Sequence, residues 1–194
     1  VPKIIDYSIV LEQMRSQHFV CHYHNSGAFG FTKETNPEVI GWLGPPDETV
    51  RPEAKNQCVQ IHEPHEKNLA HLLCLAWQQH LRQRAWIMPL AHWSYELDFG
   101  SRDWMPIALA QIKIDEKDLI QLNNAAAIEF EPHECEQLEE FATALLQLLR
   151  ASDFSIVFPG QPVFCTIHHH KQLWWQTTNG DFAQILRTLP DSAN

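Results

Sequence analysis

Apolar and polar positions along this chain switch between two periods, and the switches mark its elements. Residues 6–15 carry Ile9, Val10 and Met14 at helical spacing behind Asp6, a residue type that caps helix starts. From 18 to 24 the pattern becomes alternation, with Phe19, Cys21 and Tyr23 set between His18, Val20, His22 and His24. That stretch predicts a strand, Asn25-Ser26-Gly27 a turn, and 28–32 and 39–43 two further strands of a meander. Pro45, Pro46 and Pro52 then predict a loop over 45–57.

Beyond the loop, 58–61 reads as a short strand. A helix follows over 64–81, with Leu69, Leu72, Leu73, Ala76, Trp77 and His80 on one face, and then a strand over 86–90. Residues 93–99 alternate again, Trp93, Tyr95, Leu97 and Phe99 against Ser94, Glu96 and Asp98. This predicts a strand that turns at Gly100-Ser101-Arg102-Asp103 into another over 104–114. Asp115 caps a short helix to 122, and 126–130 suits either helix or strand. The clearest helix runs over 132–149, on Leu138, Phe141, Ala142, Leu145, Leu148 and Leu149. A strand over 154–158, a hairpin from 163–169 and 173–177, and a helix capped by Asp181 and stopped by Pro190 complete the chain.

These elements predict the α+β class: a mixed, mostly antiparallel sheet of about eight strands with two long helices packed on it. The expected organisation is one compact domain over 1–194, since the 44 residues before the loop make a poor core by themselves. Within it Glu63-Pro64-His65-Glu66 recurs as Glu131-Pro132-His133-Glu134, and 63–81 and 131–149 share seven of nineteen residues. Each copy sits between a strand and a long helix. The expectation is therefore an internal duplication of a strand-helix-strand-hairpin-helix unit, over about 58–125 and 126–190. Residues 1–57 would add the first helix and the meander. Capping chemistry alone also favours Glu, Pro and Glu at a helix start, and leaves only the histidine unexplained.

Composition narrows the function. With 24 acidic and 14 basic residues the net charge is −10, and the basic residues are scattered, so nucleic acid is excluded as a partner. A basic protein or a small ligand suits the chain better. Five cysteines, an odd number with no C-x-x-C, indicate reduced thiols and a cytoplasmic location. No leader and no membrane span is expected from the apolar runs, which fall short of the roughly 18 residues a span needs.

Twelve histidines supply the candidate chemistry. His18, His22 and His24 fall on one face of the first predicted strand, and an H-x-H pair can hold two corners of a site for a divalent transition metal. His168 and His170 share a face near a hairpin tip and could add ligands; a polar, solvent-facing strand is the plain alternative. Glu63 with His65, and Glu131 with His133, could form acid–base pairs at helix starts. Glu96 and Asp98 could do so on their predicted strand. Of Trp174 and Trp175, adjacent on a strand, one must face away from the core unless both sheet faces are covered. Phosphate-binding glycine loops, H-E-x-x-H and G-x-S-x-G are all absent.

The expected function is a non-catalytic binding or regulatory protein with an acidic, aromatic-bearing surface. The alternatives are a histidine-ligated metalloprotein or metal-dependent enzyme, and a small-ligand-binding protein with its pocket between two repeats.

Overall fold

The computed structural model describes residues 1–16, 19–23, 29–33, 39–43, 57–89, 92–122 and 126–192. Ten strands lie among them. They are β1 (Lys3–Ile5), β2 (Phe19–Tyr23), β3 (Phe29–Lys33), β4 (Val39–Leu43), β5 (Gln57–His62), β6 (Ala85–Pro89), β7 (Ala127–Phe130), β8 (Phe154–Val157), β9 (Val163–His168) and β10 (Gln172–Thr177). Seven form one sheet in the order β1-β7-β6-β8-β9-β10-β5, and the meander forms a second, β2-β3-β4. Every described pair is antiparallel, so the fold is α+β with a purely antiparallel large sheet.

The helices are α1 (Tyr7–Ser16), α2 (Glu66–Ala76), α3 (Trp93–Tyr95), α4 (Met105–Gln111), α5 (Glu116–Leu122), α6 (Cys135–Leu148) and α7 (Gly180–Ser192). Asp6 caps α1 as expected, its Oδ1 accepting from the Ser8 N–H at 2.8 Å. Two expectations at the other end change. Asn179, not Asp181, caps α7: its Oδ1 accepts from the N–H groups of Asp181 and Phe182, both at 3.1 Å. The helix also runs on through Pro190 to Ser192.

The large sheet has two unlike faces. One carries Val59, Ile61, Ile87, Ile128, Phe130, Phe154, Ile156, Cys165, Ile167, Leu173 and Trp175, which join the inner faces of α2, α6 and α7 in a single core. The other carries Trp86, Glu129, Ser155, Thr166, His168 and Gln176, which are buried too, while Cys58, Gln60 and His62 at its β5 edge are exposed. Burial on both faces explains the near-continuous apolar runs of β6, β8 and β9. Strand β4 lies close to β9 and β10, which puts the meander against this end of the sheet.

Residues 93–111 overturn the predicted hairpin. They fold as α3, a π-helical turn over Glu96–Gly100, and α4. The apolar positions serve a helical period after all: Trp93 and Leu97, four apart, are buried, while Tyr95 and Phe99 stay 41% and 79% exposed with their rings 6.4 Å apart. Pro106 falls in the first turn of α4, where a missing N–H removes no helix bond. This change also limits the predicted repeat. β5-α2-β6 and β7-α6-β8 correspond, but the first copy continues into α3, α4 and α5 where the second continues into the β9–β10 hairpin. In the sheet β7 adjoins β6 directly, whereas β5 lies at the far edge beyond β9 and β10.

Candidate functional site

The two Glu-Pro-His-Glu copies behave differently. In the second, Glu131 and Glu134 form a reciprocal capping box at a 3-10 turn leading into α6, with the Glu131 N–H donating to Glu134 Oε2 at 2.9 Å. Glu131 also meets Arg84 Nε at 3.1 Å. Capping and an ion pair therefore occupy its carboxylates. In the first copy His65 is the N-cap of α2 and makes no side-chain cap, and Glu66 pairs with Lys171. Both His65 and His133 are exposed, and Glu63 is half-buried.

His168, His169 and His170 do come together, with one ring nitrogen of each lying within 4.8 Å of the others. Asp153, just before β8, organises them. Its Oδ1 accepts the His169 backbone N–H at 2.9 Å and lies 2.8 Å from the His169 Nδ1, while Oδ2 lies 3.8 Å from the His168 Nε2. His168 Nδ1 accepts the His170 backbone N–H at 3.1 Å, and its ring stacks between Trp174 (4.1 Å) and His169 (4.3 Å). Burial pushes the His168 pKa down, against the pull of Asp153. As folded, His168 spends one nitrogen on the backbone and turns the other toward Asp153. This leaves His169 and His170 as the side chains of the triplet that present a free nitrogen, among the described residues. Two adjacent imidazoles on a turn make a partial metal site.

His18 and His24 lie outside the described residues, and His22 lies on β2 opposite Gly30 of β3.

The tryptophan pair splits as alternation requires. Trp175 is buried in the core, stacked on Phe158 at 5.7 Å and edge-on to Phe182. Trp174 is half-buried on the opposite face, donates to Gln172 Oε1 at 2.7 Å and carries the His168 ring.

Glu96 and Asp98 do not share a face. Asp98 is exposed, and Glu96 is completely buried in the π-turn. The Ser101 hydroxyl donates to Glu96 Oε2 at 2.6 Å. Gly100 closes over the carboxyl, since a Cβ there would stand 3.0 Å from Tyr95 and 3.3 Å from Glu96 Oε2. Burial raises the Glu96 pKa, the hydroxyls of Ser101 and Ser152 oppose this, and the charge of Asp153 adds to it. A carboxyl whose folded pKa lies above its unfolded one keeps its proton longer in the folded state. Its stabilising effect is thus full at low pH and is lost as pH rises through the folded pKa. Glu96→Gln should melt higher than the parent protein at pH 7 and at the same temperature near pH 4. An equal or lower melting temperature at pH 7 would show that the Glu96 charge is well solvated.

A broad concavity among the described residues was not legible in the sequence. It runs between α4 and α6 and encloses about 900 Å³. One wall is the face of α4 at Trp104, Ile107, Ala108 and Gln111, and the other is the outer face of α6 from Glu136 to Leu148. Spacings of three and four put each set on one side of its helix. Ala108 and Ala144 make a shallow-sided floor, and Glu136, Glu139 and Glu140 line one end beside Lys67. Ile107 is 62% and Leu148 41% exposed on its rim. The predicted strand over 104–114 hid this groove, because its first wall exists only if 105–111 is helical. Among the described residues, no helix is long and apolar enough to cross a membrane.

Compared with family models, with curated proteins and with solved structures, the chain matches none of them.

Proposed function

We propose that the protein is a non-catalytic binding protein whose α4–α6 groove receives a basic, amphipathic helix of a partner protein. The carrying observation is the exposed Ile107 and Leu148 on the rim of a groove whose far end is lined by three glutamates. A helix with one apolar stripe and a basic flank would bury the first and neutralise the second. The stretch from Glu136 to Leu148 measures about 18 Å at 1.5 Å per residue, which matches a partner helix of about twelve residues. A net charge of −10 would speed the encounter with a basic partner and repel an acidic one.

The test uses a fluorescent 14-residue amphipathic leucine–lysine helix, its leucine–glutamate counterpart and a scrambled leucine–lysine control, read by anisotropy. The basic helix alone should bind, more weakly as salt rises. Ile107→Asp and Leu148→Asp should each weaken it about tenfold or more, since each removes an exposed apolar anchor. Glu136→Lys with Glu140→Lys should remove most of the salt dependence. Equal binding of the scrambled peptide, or unchanged affinity in the Ile107 and Leu148 variants, would defeat the assignment.

A further inference from the structure

The seam between α2 and α6 brings together four groups that no sequence motif connects. Cys74 lies on α2 three residues after His71, and Cys135 opens α6 four residues before Glu139. Those spacings turn both pairs toward the same seam. The Cys74 and Cys135 sulfurs and a Glu139 carboxylate oxygen lie within 4.8 Å of one another. His71 Nδ1 stands 3.3 Å from Glu139 Oε2. Both thiols are free and buried, and Cys74 Sγ points at the Cys135 carbonyl oxygen, 3.5 Å away. Exposure rises outward from there, to 36% for the Glu139 side chain and 54% for that of His71. A small cavity lined by Glu63, Lys67, Asn68, His71, Glu139 and Pro190 opens beside this outer pair.

We propose that Cys74, Cys135, Glu139 and His71 bind one thiophilic divalent metal ion of the zinc type. Two sulfurs, an imidazole and a carboxylate are a borderline-soft donor set of the kind zinc takes in fourfold coordination. Bonds of about 2.0–2.3 Å in a tetrahedron place ligands roughly 3.3–3.8 Å apart, so the three atoms grouped within 4.8 Å close by up to about 1.5 Å on binding, and His71, which lies outside that group, swings in from beside Glu139. The buried sulfurs form the floor, and Glu139 and His71 close the site from the solvent side, where the ion enters. Binding replaces two S–H protons, which leave to solvent, so two thiolates and one carboxylate surround the dication. Affinity therefore rises with pH. A pair of unligated thiols below a surface His–Glu contact is the competing description, and it predicts no metal affinity.

The experiment titrates cobalt(II) into the reduced, chelator-treated full chain. One equivalent should produce the strong visible bands of tetrahedral cobalt and a thiolate-to-cobalt charge-transfer band, and zinc(II) should bleach both. The thiols of Cys74 and Cys135 should resist alkylation only when zinc is present. Cys74→Ser and Cys135→Ser should abolish the charge-transfer band. The half-exposed Glu139→Gln and His71→Ala, whose folding is not in question, should each weaken binding at least about tenfold. Cys165→Ser, and His169→Ala with His170→Ala, should leave the band intact, separating this site from the histidine turn. A folded parent protein with no charge-transfer band, a band that survives Cys74→Ser, or a Cys74–Cys135 disulfide in the protein as isolated would each overturn the proposal. None of these readouts depends on the peptide groove, whose tests leave Glu139 in place.

Discussion

Trp93→Ala should destabilise the protein by about 3–5 kcal/mol, among the largest costs of any single substitution in the core. Trp93 is fully buried at the start of α3, and its ring meets Phe154 edge-on at 5.6 Å. Phe154 in turn meets Phe141 of α6 edge-on at 6.4 Å, so Trp93 ends an aromatic chain that ties the α3 region to the sheet and to α6. Its indole N–H donates to the Ala126 carbonyl at 2.6 Å, just before β7. Truncation would open a cavity of indole size and also leave that carbonyl without its donor. At roughly 2–4 °C per kcal/mol for a chain this long, the melting temperature should fall by about 6–20 °C. Trp93→Phe separates the two losses. It keeps most of the ring contact and should cost about 1–2 kcal/mol for the hydrogen bond and the smaller volume. Urea melts giving less than about 1 kcal/mol for Trp93→Ala would mean that the α3 region is not part of the cooperative core.

Asp153→Ala should cost about 1.5–3 kcal/mol, the range for hydrogen bonds to a charged group. The carboxylate is only 18% exposed and holds the β9–β10 turn to the start of β8 through the His169 backbone and ring. The loss should be local as well as global. Amide exchange at 168–171 should accelerate well beyond that at the centre of β9, because the turn would lose its tether while the strand keeps its ladder. Lys171, which adopts φ 61 in that turn, would keep its backbone bond to the His168 carbonyl at 2.9 Å and its Glu66 pair. A uniform small change in exchange across the sheet would show that the turn holds itself. The same substitution removes a negative charge near Glu96 and should bring that carboxyl closer to its ordinary range.

Long elements with one consistent period were readable in advance. α6 buries Leu138, Phe141, Ala142 and Leu145 as read, although Leu148, read on the same face, is exposed, and the β9–β10 hairpin falls where 163–169 and 173–177 placed it. The failure over 93–111 has a clear cause. Trp93, Tyr95, Leu97 and Phe99 satisfy a period of two, yet Trp93 and Leu97 alone satisfy a helical one, and packing chose the second. Pro106 was the warning, since proline inside a strand removes a ladder donor. That misreading hid the groove, whose α4 wall exists only where 105–111 is helical. The thiol pair was hidden for another reason. Cys74 and Cys135 belong to different helices, and only the packing of α2 on α6 makes them neighbours. The histidine triplet stands at the β9–β10 turn, but neither the approach of all three rings nor the tether from Asp153 could be read from spacing.

The outer strands of the large sheet carry a kinetic consequence. Among the described residues β5 pairs only with β10, His62 opposite Gln172, and β1 only with β7, Lys3 opposite Glu129. Each edge strand thus waits for a partner more than a hundred residues away. Closing such loops costs entropy before any ladder bond returns it, so refolding should be slow for the chain's size. Until β10 arrives, β5 offers an uncharged edge of six residues bearing an exposed thiol at Cys58. Misassembly during refolding would therefore begin at β5 and grow with protein concentration.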